Sequence, residues 1–264
     1  LEDLYLPYKQ KRVTKGQMAL AAGIGALAER LLAEPQRVPE DEAAAYIVTE
    51  AVEGSAAYPD VKSVLEGARH ILMERFAEGA DLLALLRSYL QERAQLSARL
   101  VAGKEQAGAK FRDYFEHDEK LADVPSHRAL AMFRGRNEGF LSLALTLPDS
   151  DAGSHPCESL IAQQVGISDQ GRPADAWLRE VVRWTWRVKL LTHLETELLT
   201  ALKIRSEEEA IRVFARNMKD LLMAAPAGLR PTLGLDPGLR TGVKVAIVDG
   251  TGKLVANTTI FPHE

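Results

Sequence analysis

The feature that most constrains this chain is a change of hydrophobic period near residues 226–231. Before it, apolar side chains recur at steps of three and four. Val61, Val64, Leu65, Ala68, Ile71, Leu72 and Phe76 are one such set, and they mark one face of an α-helix. After it, 233–236, 243–249 and 254–261 read as strands, and the Asp249-Gly250-Thr251-Gly252 stretch reads as a hairpin turn. Pro226, Gly228 and Pro231 punctuate the change. The expected organisation is a multi-helix scaffold over 1–228, followed by the opening strands of a second domain over 229–264. Aromatics make up only 6% of the residues, and alanine and leucine carry much of the apolar content, which favours helices over sheets.

Within the scaffold the pattern predicts helices over 15–33, from Pro39 to about 52, and from an Asp60 cap to Phe76. A further helix is predicted from Asp81 to about Leu100, and a short one follows near 110. Next come a helix opened by Ser126 and closed at Gly135 or Gly139, a strand over 140–147, and helices over 156–165 and 173–203. Ser206 with Glu209 three residues on has the form of a capping box, so a separate helix is expected to start there.

Bulk properties exclude several classes. The net charge of −4 excludes a polybasic nucleic-acid binder, so any such surface is a local patch. The lone Cys157 permits no internal disulfide and fits a reducing compartment, hence a cytoplasmic location. No run of 18 apolar residues suggests a membrane span. The six histidines lack metal-ligand spacing, so no zinc is expected. Walker, Ser–His–Asp and Rossmann patterns are absent. The chain starts at Leu1 and stops at Glu264 inside a strand pattern, which reads as part of a longer protein.

Local basic clusters are the candidate nucleic-acid contacts. Lys9, Lys11, Arg12 and Lys15 lie beside Tyr5 and Tyr8; they read either as phosphate contacts or as a solvated linker. Arg134 and Arg136 in "FRGRNEG" sit among glycines at a helix end, where cations are also favoured without a ligand. On the helix near 177–202, Arg179, Arg183 and Arg187 form a stripe beside Trp177, Val181, Trp184, Val188 and Leu191. The tryptophans of that apolar stripe are expected in the core. Arg240 and Lys244 flank the last candidate, "LDPGLRTGVK". There Asp236 ends a strand, and Gly238 and Gly242 could let backbone N–H groups approach a phosphate. As a turn residue, Asp236 would instead bond backbone N–H groups near Arg240–Gly242. Actin- and sugar-kinase-type ATPases open with a similar turn, but some 230 preceding helical residues do not suit them.

The segments "LPYKQKRVTK", "ILMERFAEGADL", "KFRDYFEHDEKLADVPSHRALAMFRGRNEG" and "LLMAAPAGLRPTLGLDPGLRTGVKVAIVDGTGKL" resemble the Tex family of bacterial transcription accessory proteins. The resemblance implies a central helical region followed by the start of a YqgF-type domain of RNase H-like fold. It also implies helix-hairpin-helix and OB-type RNA-binding parts elsewhere in the full protein, with RNA or single-stranded nucleic acid and the transcription machinery as partners. In RNase H-like nucleases the first strand supplies an acid that holds a divalent metal, and Asp236 matches that position. Two-metal chemistry needs several converging carboxylates. Asp249, the nearest other acid, is expected more than about 20 Å away at the far end of the next strand. The expectation is therefore a scaffold without catalytic residues or cofactor. The alternative is a metal-dependent nuclease or resolvase, with Mg and Asp236 as its first ligand.

Overall fold

A computed structural model describes residues 13–51, 56–148, 155–226, 228–238 and 240–262. The fold is mainly α, and it divides into two compact units, Leu1–Ala210 and Ile211–Glu264.

In the first unit, α1 (Lys15–Ala21) and α2 (Gly25–Ala33) replace the single expected helix. Gly23, at φ 82°, takes the left-handed conformation that turns the chain between them. Helix α3 (Pro39–Ala43) is far shorter than expected. It passes through a 3-10 turn at Ala44–Tyr46, after which Val48 pairs with Tyr58 in an isolated bridge. Ile47 and Val48 are β-branched, and this pairing overrides the helical spacing.

Helix α4 (Val61–Ala77) is the central element. Asp60 caps it as expected: its carboxylate accepts from Ser63 N at 2.7 Å, and Ser63 Oγ accepts from Asp60 N at 3.2 Å. Val64, Ala68, Leu72 and Met73 are fully buried. Gly67 makes this packing possible, because a Cβ there would meet Ala19 and Ile24 side chains at 3.2 Å. Glu74 ties the helix down at its other end. Its carboxylate accepts from Thr14 Oγ1 at 2.6 Å, Gly16 N at 3.3 Å and Lys189 Nζ at 3.2 Å.

Helix α5 (Ala80–Arg93) ends earlier than the sequence suggests, and Gln95–Leu100 forms strand β1. It pairs antiparallel with β2 (Glu116–Lys120) on one side and β3 (Leu141–Thr146) on the other. Only β3 was expected as a strand. A 3-10 turn (Ala109–Tyr114) replaces most of the short helix near 110. These pairings join residues far apart in sequence, which local periodicity does not register. Glu195 covers part of the sheet's outer edge, accepting from Leu145 N at 2.8 Å.

Helix α6 (Ser126–Asn137) ends in a Schellman-type turn. Gly139 is at φ 76°, and the N–H groups of Glu138, Gly139 and Phe140 donate to Arg134, Arg136 and Gly135 carbonyls. Helix α7 (Pro156–Gln164) follows. The chain then enters α8 (Asp175–Trp184), a π-turn (Thr185–Leu190) and α9 (Leu191–Leu222) without a break. Ser206 is therefore no cap. It is fully buried inside α9, and Glu209 accepts from Ser126 Oγ at the start of α6. The capping-box pattern fails here because no glycine or proline interrupts the preceding helix.

Cys157 is completely buried, and burial pushes its thiol up to about 12. A thiol held neutral is a poor nucleophile. The native protein should leave Ellman's reagent unreacted, while denaturant should release one equivalent. Rapid labelling without denaturant would contradict the buried placement.

His70 is 9% exposed, and neither ring nitrogen has a hydrogen-bond partner. Desolvation, then Lys15, holds its pKa below the usual histidine value, against the weaker opposing pull of Glu66 at 3.5 Å. The unfolded chain takes up this proton near pH 6.5, where the folded chain resists it. Stability is therefore present above pH 6.5 and is lost as pH falls from there through the lower folded pKa. Urea midpoints should fall between pH 7.5 and 5.5, and less so for His70→Gln. Equal pH slopes would show that His70 does not carry the effect.

The second unit ends in a three-stranded antiparallel sheet, β4 (Thr232–Gly238), β5 (Gly242–Val248) and β6 (Leu254–Ile260), with β5 central. Its register places Leu233, Leu235, Val245, Ile247 and Ile260 on one face and Asp236, Lys244, Asn257 and Thr259 on the other.

Candidate nucleic-acid interface

The β4–β5 ladder reaches Gly238, which pairs with Gly242. Both glycines are sterically required. Gly242 has φ 73° and a Cβ there would meet the Ile260 carbonyl at 2.7 Å, while a Cβ on Gly238 would strike Thr241 Oγ1. A left-handed glycine where a hairpin re-enters its strand is an ordinary solution, and it accounts for Gly242 without a phosphate.

Asp236 lies in the ladder directly opposite Lys244, two residues before that turn. Its carboxylate stands 4.0 Å from Lys244 Nζ, and both side chains are largely exposed. The acid that closes a turn is Asp249. It accepts from Thr251 N at 2.8 Å, Thr251 Oγ1 at 2.6 Å and Lys253 N at 3.1 Å. Those bonds, the Thr251 hydroxyl first, hold it below the usual carboxylate range. Asp249 lies five residues beyond Lys244 along β5, about 16 Å at ~3.3 Å per residue. Among the described residues no group of three His, Cys, Asp or Glu side chains could hold a metal ion. The donors around Asp236 do not fit a divalent cation by themselves, because its charged neighbour is a lysine.

The other basic candidates are spread over separate elements. Lys9, Lys11 and Arg12 lie outside the described residues. Lys15 opens α1, with Nζ 4.0 Å from Glu66. Arg134 donates to Glu138 at 2.7 Å, and Arg136 lies over the Phe133 ring at 5.1 Å. The amides of the 138–140 turn are spent on the carbonyls of α6, leaving no backbone cradle there. Arg240 and Lys244 belong to the hairpin of the second unit.

A cleft lies between α7 and α8, with a volume of about 930 Å³. Arg179, Arg183 and Arg187 line it at steps of four, over a floor that includes Ala162, Ile167 and Val182. Arg179 pairs with Asp169 at 2.7 Å, and Arg187 with Glu158 at 3.3 Å. His155, at the mouth of α7, stacks on Trp186 with ring centroids 5.1 Å apart, and burial lowers its pKa.

Val181 is buried and Trp177 and Leu191 pack against the core as expected, and the π-turn explains why Trp184 and Val188 of the same stripe do not. Leu178, Val182, Trp186, Leu190 and Leu194 recur every four residues and are all buried. A regular α-helix would rotate such a row by about 40° per step. A π-turn holds more residues per turn and brings the row back toward the core. Trp186 is thus 2% exposed, whereas Trp184 and Val188, expected in the core, are 38% and 53% exposed. Trp184 is covered instead by Arg69, whose guanidinium sits 4.3 Å from its ring centre and 3.3 Å from Glu180. The period of four was legible in the sequence and would have singled out Trp186.

Fold and site together define a mainly helical protein that carries an exposed arginine row and two small antiparallel sheets. A sequence profile described as Tex central region-like matches residues 34–214, and one described as Tex protein YqgF-like domain matches residues 230–264. The chain belongs to the Tex family. It is 58% identical to Protein YhgF of Escherichia coli (strain K12) and 50% identical to Protein tex of Bordetella pertussis. It is 27% identical to S1 RNA-binding domain-containing protein 1 of Homo sapiens. Each match spans 100% of this chain, but 34%, 34% and 26% of those proteins respectively. The chain thus spans about a third of the length of the bacterial relatives.

Proposed function

We propose that this chain is the helical scaffold, with the opening of a YqgF-type RNase H-like domain, of a cytoplasmic transcription accessory factor that binds RNA or single-stranded nucleic acid without sequence preference. Its partners would be nucleic acid and the transcription machinery. The observation that carries this reading is similarity along the whole chain to a protein named transcriptional accessory protein Tex and to one named for an S1 RNA-binding domain. A rigid core of buried helices around α4 suits the positioning of attached binding modules. No helix among the described residues is long and apolar enough to cross a membrane.

The test is equilibrium binding of the complete protein to unrelated single-stranded RNA 20-mers at several salt concentrations. The affinities should agree within a few-fold between sequences and fall steeply with salt. Strong preference for one sequence, or no binding, would contradict the proposal. The nuclease reading, with Asp236 as first metal ligand, would require further acids from outside the described residues.

A further inference from the structure

We infer that the α7–α8 cleft is a binding site for the phosphodiester backbone of single-stranded nucleic acid, with Arg179, Arg183 and Arg187 as its contacts; this rests on the nucleic-acid reading above. Successive arginines stand four residues apart, which is about 6 Å of helix rise. That spacing presents separate guanidinium forks to successive phosphates. Arginine rather than lysine at all three positions favours planar, bidentate anion contacts.

The outer two forks are already held at the rim by Asp169 and Glu158, at 2.7 Å and 3.3 Å. Arg179 and Arg187 have side chains 63% and 55% exposed. Asp169 is itself 44% exposed, so that pair contributes about 0–1 kcal/mol and a phosphate can replace its carboxylate at small cost, whereas Glu158 is only 14% exposed and holds Arg187 more firmly. Arg183 lies between them, exposed, with no ion pair among the described residues. Gln163 and Ser159 line the facing α7 wall and add neutral polar groups, and Ile167 and Val182 add apolar lining. Glu158, Asp169 and Glu180 also line the cleft and repel any polyanion, so what favours a phosphate chain over an acidic peptide is the regular spacing of the arginines.

The test uses the complete protein and a fluorescein-labelled oligo(U) 20-mer, followed by anisotropy from low to high salt, with folding checked by circular dichroism. Neutralising one phosphate contact on a single strand lowers the slope of log K against log salt by about 0.7. Arg183→Gln should show that decrease and weaken binding by roughly 3- to 10-fold at low salt. The triple change of Arg179, Arg183 and Arg187 to Gln should lower the slope by about 2. A 4-thiouridine 20-mer should crosslink to peptides containing Gln163 or Ile167.

Wild-type binding with unchanged slope and affinity in both variants would overturn the cleft assignment and leave the broader reading standing. No binding by wild type would overturn both. Binding of labelled polyglutamate that is lost in the arginine variants, with oligo(U) binding unaltered, would give the cleft to an acidic peptide and refute the inference.

Discussion

Trp186→Ala is expected to lower stability by about 3–5 kcal/mol, the range for removing a large aromatic from a packed core. Trp186 is 2% exposed and stacks on His155, so its loss opens a cavity where α7 meets the π-turn. In a unit of this size that corresponds to a fall of roughly 10 °C in melting temperature. Trp184→Ala, two residues earlier at the end of α8, should cost far less. Trp184 is 38% exposed, and the contact it would lose is the largely buried Arg69 guanidinium over its ring. Calorimetry on the two variants checks the pair. Equal destabilisation would mean that the π-turn does not re-phase the helix as described.

The second large effect concerns Gly135. The sequence allows it to be part of a phosphate-gripping loop, but the structure buries it inside α6 against strand β3. A Cβ at Gly135 would come within 2.5 Å of Leu141 Cδ1 and 2.8 Å of its Cγ, and Leu141 is only 2% exposed. Gly135→Val should therefore destabilise by about 1–3 kcal/mol through overpacking. The better helix propensity of the new residue offsets part of this, by less than about 1 kcal/mol. Arg136→Gln, on the exposed side of the same helix, should leave stability within about 0.5 kcal/mol of wild type. Denaturant midpoints decide the matter. A harmless Gly135→Val would show that the α6–β3 approach is looser than the coordinates indicate.

What the sequence made legible follows from how local each signal is. The change of period, the Asp60 cap and the three C-terminal strands were readable because each depends on residues close in the chain. Strands β1 and β2 were not, since Gln95–Leu100 carries a helix-compatible pattern and becomes a strand only by pairing with residues some 20 and 45 positions away. The Ser206–Glu209 pair misled because a capping box records local bonding potential, whereas burial of Ser206 within α9 is a tertiary outcome. At the hairpin, Asp236 was correctly placed on a strand. Its cross-strand partner Lys244 depends on the turn register, and Asp249 closes the separate turn between β5 and β6. The arginine row near 179–187 was visible as spacing, but the cleft beside it required α7 to pack there.

The most direct measurement is magnesium-dependent cleavage by the complete protein, comparing wild type with Asp236→Asn on labelled single-stranded RNA and on branched DNA. If this region holds and orients nucleic acid, neither protein should release product above a no-enzyme control, and the two should bind RNA equally. Cleavage by wild type that disappears on replacing that one carboxylate would contradict the account.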